Sequence, residues 1–396
     1  MKMRRFAQLG LAVLLVGAFS IGSALGDENP GTLKVYMLIG QSNMEGQAYT
    51  YDSTYTAGWN VPTMEFLLSG TSASTNYVNN MPHTFKSSLN SSWLQPQDDV
   101  WGVHYLSSNG SVKNVLPTNN QADIVSGIQP MQPGFGVGTN FGSMIGVELS
   151  MGIKLGEALQ GPVMLFKSDK GGTDLAYDWR PPSAAARKGT VGANYTNSLN
   201  RFKALLDTLD ADLDDDGKLN AYNNATGYQV AGVVWLQGWN TVHGSDHGDP
   251  TNYSLNAKLA EYTQNLVDLV NDVRASDSRI PNDVGVIVVE SSDQNTDLNA
   301  SRAAAVAALN AENSGSAVFL ETNNLIGQNW GNNEHGVPFS TKYGYHFNAK
   351  PENFLEMGWQ IGQAAIDNDF IPEPTTLGLL GLGALGLLKR RRRARA

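Results

Sequence analysis

Five short apolar runs constrain the fold of this chain more than any other feature of its sequence. They are residues 34–39, 162–168, 230–237, 284–290 and 317–321. Their apolar residues are continuous rather than alternating, which is typical of strands covered on both faces in a parallel sheet. Helical spacing separates the runs, near residues 141–160, 194–209, 251–275, 297–312 and 351–367. Strands that alternate with helices predict a doubly wound, three-layer α/β/α sandwich.

Residues 48–135 break this alternation. They are rich in Ser, Thr, Asn, Gly and Tyr, and the stretch 69–76 is close to low complexity. The segment is too irregular for a second domain. It predicts an elaborated insertion over the active face, with room for short strands, inside one catalytic domain spanning residues 27–370.

Both ends of the chain look like sorting signals rather than parts of the fold. Residues 1–26 have a basic head, an apolar stretch and small residues at the end, which is typical of a signal peptide. The alternative, a buried N-terminal helix, does not explain the basic head. Residues 371–396 combine Pro-Glu-Pro, a short apolar run and a basic tail. An apolar run that spans a membrane needs about 20 residues, and this one is shorter.

The C-terminal segment resembles the PEP-CTERM sorting signal, which an exosortase removes in Gram-negative, polysaccharide-producing bacteria. The resemblance implies processing by a signal peptidase and an exosortase, and no permanent membrane span afterwards. It also implies export to the cell surface, the extracellular matrix or the periplasm.

Charge and cysteine content exclude several classes of function. Residues 1–26 and 389–396 hold nine of the 27 Lys and Arg and none of the 37 Asp and Glu, so the remaining region has a net charge of −19. Such a surface repels nucleic acid and anionic membranes. The chain contains no cysteine, which excludes thiol catalysis, disulfides and cysteine-ligated metals.

Unusual polar segments follow the first three apolar runs, where ligands bind in open α/β sheets. Ser42 lies in GQSNM directly after the first run, although serine is also an ordinary turn residue. Gly171 and Gly172 follow the second run, where paired glycines let backbone N–H groups approach a ligand or simply form a loop. Asn240 follows the third run within WLQGWN, and its amide can point into the crevice.

A histidine near the end of the chain is a candidate general base. His346 lies in TKYGYHFNAKPENF, just before the last predicted helix, and is one of only six histidines. A lone histidine is more often structural than catalytic. Its position near the end of the chain, after the serine, glycine and asparagine segments, favours the catalytic interpretation.

Together these segments resemble the SGNH hydrolases, named for a Ser, a Gly, an Asn and a His in that chain order. GQSNMEG, KGGTDLAYDWRPPS and VVWLQGWN are most similar to the sialate O-acetylesterase-type branch, which includes carbohydrate esterase family six. The resemblance covers roughly residues 33–367. It implies a mostly parallel, flavodoxin-like five-stranded sheet and hydrolysis of acetyl esters on sugars without a cofactor.

The resemblance also implies a role for each site residue. Ser42 would be the nucleophile, and His346 the general base and then the general acid. The oxyanion would be held by the N–H of Ser42, an N–H of Gly171 or Gly172, and the Asn240 amide. The predicted pocket-shaping and substrate-binding residues are Gln41, Gln237, Gly238 and Trp239.

The sequence departs from the family pattern at the triad acid. The family commonly has Asp three residues before the histidine, and Tyr343 occupies that position here. The carboxylates that could replace it are Glu290, Glu334, Asp246 and Asp249. Otherwise a backbone carbonyl orients the imidazole, which predicts a slower Ser–His dyad or a degenerate binding protein.

Two segments carry possible metal ligands that the mechanism does not use. Residues 212–223 place Asp212, Asp214 and Asp216 as in a calcium loop, but position 12 is Asn223 rather than Glu. They predict either a structural calcium site or a solvated acidic turn. The second segment holds His243, Asp246, His247 and Asp249, which could bind zinc or form a polar active-site loop.

Three functions are compatible with these observations. The first is an exported carbohydrate O-acetylesterase acting through a serine nucleophile, with sialic acid, xylan and the cell's own exopolysaccharide all open as substrates. The second is a catalytically weak or inactive carbohydrate-binding protein of the same fold at the cell surface. The third, a structural matrix protein, fits the sorting tail but leaves the serine, glycine, asparagine and histidine unexplained.

Overall fold

The fold is built on a seven-stranded sheet. The computed structural model describes residues 32–51, 61–106, 128–136, 144–159, 162–213, 227–243, 254–326, 330–332, 335, 338–339 and 344–370. The strands are β1 (Leu33–Gly40), β2 (Ala48–Tyr49), β3 (Val100–Leu106), β4 (Gln129–Pro130), β5 (Met144–Ile145), β6 (Val163–Asp169), β7 (Tyr228–Leu236), β8 (Gly285–Val289) and β9 (Ala317–Leu320). The order in the main sheet is β4-β3-β6-β1-β7-β8-β9, while β2 and β5 form a separate antiparallel pair.

The helices cover both faces of this sheet. They are α1 (Ser42–Glu45), α2 (Met64–Leu68), α3 (Ser72–Asn80), α4 (Glu148–Leu159), α5 (Pro182–Arg187), α6 (Ala193–Leu213), α7 (Trp239–His243), α8 (Leu255–Ala275), α9 (Thr296–Glu312) and α10 (Pro351–Asp367). One apolar core joins the sheet to α6, α8 and α9, and a second joins the other face to α4 and α10. This confirms the predicted three-layer arrangement.

The five predicted strands occur as β1, β6, β7, β8 and β9. All pairings among them are parallel, and their order of 2-1-3-4-5 is that of a flavodoxin-like sheet. Strands β1, β6 and β8 are buried along their whole length, as continuous apolarity predicted, whereas most of the edge strand β9 is half-buried. The carboxyl ends of β1, β6, β7 and β8 therefore converge at one edge of the sheet.

The number of strands was underestimated, because the insertion contributes two of them. Strand β3 pairs in parallel with β6, and β4 pairs antiparallel with β3. The run VWGVHYL hides this strand because a glycine and a histidine interrupt it. Gly102 faces Met131 and Phe135, where an added Cβ would lie 2.5 Å from the Met131 side chain. His104 is accommodated by a buried 2.8 Å contact with Asp169.

The stretch that looked close to low complexity includes the start of a regular helix. Thr71 caps α3 by accepting from the Ser74 N–H at 3.2 Å. Tyr77 then anchors the helix, because its ring is buried and its hydroxyl donates to Glu352 on α10. Most small polar residues of α3 face outward, and Ser74 is buried with its hydroxyl donating to the Leu67 carbonyl, so the composition gave no apolar pattern.

The predicted signal peptide and the domain limits stay predictions. Residues 1–31 and 371–396 lie outside the part of the chain that the structure describes, and so does much of the 48–135 segment. Within the described part, no helix is both long and apolar enough to cross a membrane.

Candidate active site

The turn that carries Ser42 is fixed by close backbone contact between β1 and β7. An added Cβ at Gly40 would lie 2.1 Å from the Leu236 carbonyl oxygen, so only glycine fits there. The Gln41 N–H donates to the same oxygen at 3.1 Å. Ser42 then begins α1, where the first N–H groups have no intrahelical acceptor. Its hydroxyl is partly exposed and forms no hydrogen bond with any described residue.

Gly171 lies directly beside the serine. A Cβ built on Gly171 would be 3.5 Å from the Ser42 Cβ. The Gly171 N–H, however, donates to Glu45 Oε1 at 3.0 Å. Gly171 is therefore a poor oxyanion donor, which narrows the predicted pair to Gly172. Gly172 has the left-handed φ of 73° and open space around its Cα, as close approach of a ligand requires.

Glu45 is a site residue that the sequence interpretation missed. Its side chain is buried, three residues after Ser42, and it holds the glycine loop after β6 against α1. Its backbone carbonyl accepts from Lys167 Nζ at 2.8 Å, and that lysine also forms a buried ion pair with Glu148. The motif GQSNMEG contains Glu45, but an acidic residue in a turn carries no signal for such a contact.

Asn240 completes the group around the serine. Its Nδ2 donates to the Gly172 carbonyl at 2.8 Å, and its backbone N–H donates to Gln41 Oε1 at 3.3 Å. One hydrogen of the amide is thus committed to the glycine loop, and the second is available to an oxyanion. The structure brings Ser42, Gly172 and Asn240 to one edge of the sheet.

Gln41 and Gln237 form a buried structural network and do not line a substrate surface. Gln237 Nε2 donates to Gln41 Oε1 at 3.2 Å and to the Thr173 carbonyl at 3.0 Å. Both side chains are almost fully inaccessible. The two glutamines therefore support the segments after β1, β6 and β7 instead of making the predicted contact with substrate. Gly238 is similar, since an added Cβ would lie 1.7 Å from the buried Arg302 guanidinium.

Trp239 differs from these three because it remains partly exposed. Its ring packs on the imidazole of His243, with centroids 4.0 Å apart and an angle of 33° between the planes. Its backbone N–H donates to Ser291 Oγ at 3.2 Å, which fixes the position of the indole beside Asn240. Trp239 is thus the member of the predicted substrate group that a ligand can reach.

Asn43 links three strand ends and was also missed. Its side chain is buried, and Nδ2 lies 3.0 Å from Ser292 Oγ and 3.5 Å from Ser291 Oγ. Because Ser291 also accepts from Trp239, the ends of β1, β7 and β8 are tied together. Asn43 is part of the GQSNM motif, but its partners Ser291 and Ser292 follow β8. No spacing in the sequence predicts a contact between these two segments.

His346 lies in an irregular turn, residues Gly344–Ala349, immediately before α10. This turn is in contact with α1, so the base candidate and the nucleophile helix are neighbours. Burial lowers the pKa of His346 to about 4.

Glu290, one of the candidates for the triad acid, is held by groups close to its own strand. The Glu290 carboxylate accepts from the Thr322 N–H at 2.7 Å and from Asn299, at the end of β8. The other sequence candidates, Glu334, Asp246 and Asp249, lie outside the described residues, as does Tyr343. Orientation of His346 by a distant group or a backbone carbonyl stays a prediction.

Most of the candidate metal ligands lie outside the described residues. Asp212 is near the C-terminus of α6, and Asp214 and Asp216 lie outside the described residues, with His247 and Asp249. Within the described ranges, no group of three or more His, Asp or Glu side chains is placed to hold a metal. The structural calcium site stays a prediction.

Comparison with protein families gives two matches. Residues 32–329 match the carbohydrate esterase, sialic acid-specific acetylesterase family. Residues 370–393 match the PEP-CTERM protein-sorting motif. No curated protein sequence matches the chain.

Three solved structures are similar to this one at low sequence identity. A protein from Arabidopsis thaliana matches with 13% identity and a TM-score of 0.44 over 85% of this chain and 98% of its own. A carbohydrate acetylesterase from Xanthomonas citri matches with 13% identity and a TM-score of 0.42 over 84% of this chain and 55% of its own. A carbohydrate esterase described as having divergent catalytic and non-catalytic binding functions matches with 10% identity and a TM-score of 0.37. The match covers 84% of this chain and 65% of its own.

Proposed function

The chain belongs to the carbohydrate esterase, sialic acid-specific acetylesterase family, and on that premise we propose that it is an exported carbohydrate O-acetylesterase with Ser42 as its nucleophile. The observation that carries the proposal is the meeting of Ser42, Gly172 and Asn240 at one edge of the sheet. Helix α1 also packs against the turn that holds His346. These are the groups that acyl transfer needs: a nucleophile, oxyanion donors and a base.

The chemistry follows from these positions. His346 accepts the Ser42 proton as Ser42 Oγ attacks the acetyl carbonyl, and the sugar hydroxyl leaves with that proton. Water then attacks the acetyl-serine with His346 again as the base, which releases acetate. The oxyanion of each step would accept from the Ser42 and Gly172 N–H groups and the free Asn240 amide hydrogen. One such donor contributes about 3 kcal/mol to transition-state stabilisation.

The partly exposed Trp239 beside Asn240 predicts a platform for the sugar ring. Trp239→Ala should raise KM for an acetylated monosaccharide about tenfold, because the apolar face of the sugar loses its packing surface. The same variant should leave kcat/KM for p-nitrophenyl acetate within twofold of wild type, since that ester carries no sugar. Acetate release from both substrates measures the difference. Equal losses on both would show that Trp239 supports the catalytic groups and not the sugar.

The second candidate is a carbohydrate-binding protein with little catalysis. It is favoured by His346, because burial lowers the pKa of its imidazole to about 4. A weak base of this kind reduces turnover. Binding of an acetylated glycan without acetate release at any pH would favour this candidate over the esterase.

The PEP-CTERM motif predicts processing at both ends. Protein from the native host should lack residues 1–26 and the C-terminal arginine tail, and should be recovered outside the inner membrane. Intact-mass spectrometry of that fraction gives both ends in one measurement. An exported form that retains its arginine tail would contradict exosortase processing.

A further inference from the structure

The turn that follows His346 has an unusual backbone. Phe347, Asn348 and Ala349 have φ values of 49°, 64° and 54°, so three consecutive residues other than glycine are left-handed. Residues that carry a Cβ rarely adopt this backbone conformation, because the Cβ approaches the following carbonyl oxygen. Strain of this kind persists only where the surroundings enforce it, and it clusters at functional sites.

One side chain of α10 holds this turn. Asn353 Nδ2 donates to the Phe347 carbonyl at 2.7 Å, within the protein interior. The Lys350 N–H approaches the same oxygen only at 3.5 Å. Packing adds to this, since the Phe347 ring lies edge-on to Phe354 at 5.9 Å and Ala349 is buried. The Asn353 amide thus makes a short polar contact with the first of the left-handed residues.

The placement of Asn353 is costly for stability. The side chain is fully buried, and its Oδ1 has no hydrogen-bond partner among the described residues. The amide cannot be turned around, because Oδ1 would then face the Phe347 carbonyl oxygen. A buried acceptor without a partner is expensive, so a residue serving only stability would satisfy both ends of its amide.

The surroundings of Asn353 are rich in titratable groups. They are Tyr77, His83, Lys350, Glu352 and Glu356. Burial lowers the pKa of His83 to about 4, and Asn353 acts in the opposite direction, although the two side chains do not reach hydrogen-bond geometry. Of these groups, the Lys350 backbone N–H reaches the Phe347 carbonyl at 3.5 Å, and the Asn353 amide makes the shorter contact at 2.7 Å.

We propose that Asn353 is the positioning residue of the general base: its amide enforces the left-handed turn Phe347–Ala349 and thereby holds His346 against the Ser42 helix. This rests on the proposed function of His346. It predicts that removal of the amide displaces the imidazole without affecting the oxyanion donors. A displacement of about 1 Å can cost about 10²-fold in rate.

The test compares Asn353→Ala with Asn310→Ala on p-nitrophenyl acetate. Asn310 on α9 also bonds a backbone carbonyl, that of Ala317, at 2.8 Å, and is remote in sequence from every site residue, so it controls for lost stability. We expect Asn353→Ala to lower kcat about 10²-fold with KM within twofold, and Asn310→Ala to change neither. If Asn353→Ala does not fold, the same loss of kcat is expected for the isosteric Asn353→Asp, because this variant lacks the Nδ2–H donor.

A second-site change gives an independent readout. Ala349→Gly removes the cost of the left-handed φ, so in the Asn353→Ala background it should restore kcat several-fold. Wild-type kcat in folded Asn353→Ala, or no recovery in the double variant, would overturn the positioning role. The proposed function fails separately, through full activity of Ser42→Ala or His346→Ala.

Discussion

Replacing Ser42 with alanine should lower kcat for acetyl ester hydrolysis by about 10³-fold or more, to the level of the background reaction. The reason is that the acetyl-enzyme cannot form, while the remaining oxyanion donors still bind the ester. The melting temperature should stay within about 2 °C of wild type, because the Ser42 hydroxyl forms no hydrogen bond with the described residues and is partly exposed. Initial rates on p-nitrophenyl acetate and a thermal melt measure both quantities.

Ser183→Ala is a matched control for this variant. Ser183 is at the start of α5, and its hydroxyl donates to Asp272 at 2.6 Å. Its loss should lower stability slightly and leave kcat unchanged. Full activity in a folded Ser42→Ala protein would end the serine mechanism.

Replacing His346 with alanine should abolish activity to a similar extent, because His346 is the base that takes the Ser42 proton in the proposed mechanism. The wild-type enzyme should also show an unusual pH dependence. Burial lowers the pKa of His346 to about 4, so the imidazole stays neutral and able to accept a proton well below pH 6.5. The acid limb of kcat/KM should therefore lie near pH 4, measured between pH 3.5 and 8 with a check of folding at each pH.

The stability of the folded protein should also depend on pH through His346. The unfolded imidazole takes up a proton below its usual pKa of about 6.5, and the folded one only below about 4. The contribution of His346 to stability is therefore full above pH 6.5 and falls as the pH drops from 6.5 to 4. His335→Ala, at an exposed histidine, should alter neither this slope nor the rate. An acid limb near 6.5 that persists in His346→Ala would assign the base elsewhere.

Much of the fold could be predicted because burial on both faces leaves a simple pattern. The run KVYMLI became β1 with one residue of difference at each end, and the 3.6-residue spacing of Leu259, Tyr262 and Leu266 located α8. Strand β3 was hidden because Gly102 and His104 are explained only by their neighbours in space. Their partners, Phe135 and Asp169, are far away in sequence.

The site could be predicted as a set of segments but not as a set of contacts. Ser42, the glycine pair and Asn240 follow their strands, so topology alone brings them together. Gln41 was expected to contact substrate, yet its carbonyl is directed inward to Gln237. Glu45 accepts from the Gly171 N–H and so leaves Gly172 as the candidate donor of the pair. This hydrogen bond could not be inferred from the sequence, because it joins α1 to the loop after β6.

The central claim is that Ser42 is an activated nucleophile, and covalent trapping tests it most directly. The wild-type protein is treated with a serine-directed fluorophosphonate, and the modified residue is identified by peptide mass spectrometry. A single adduct on Ser42 is expected, absent in Ser42→Ala and formed far more slowly in His346→Ala. An adduct on another residue, or none in a protein that still releases acetate, would contradict the assignment of the site.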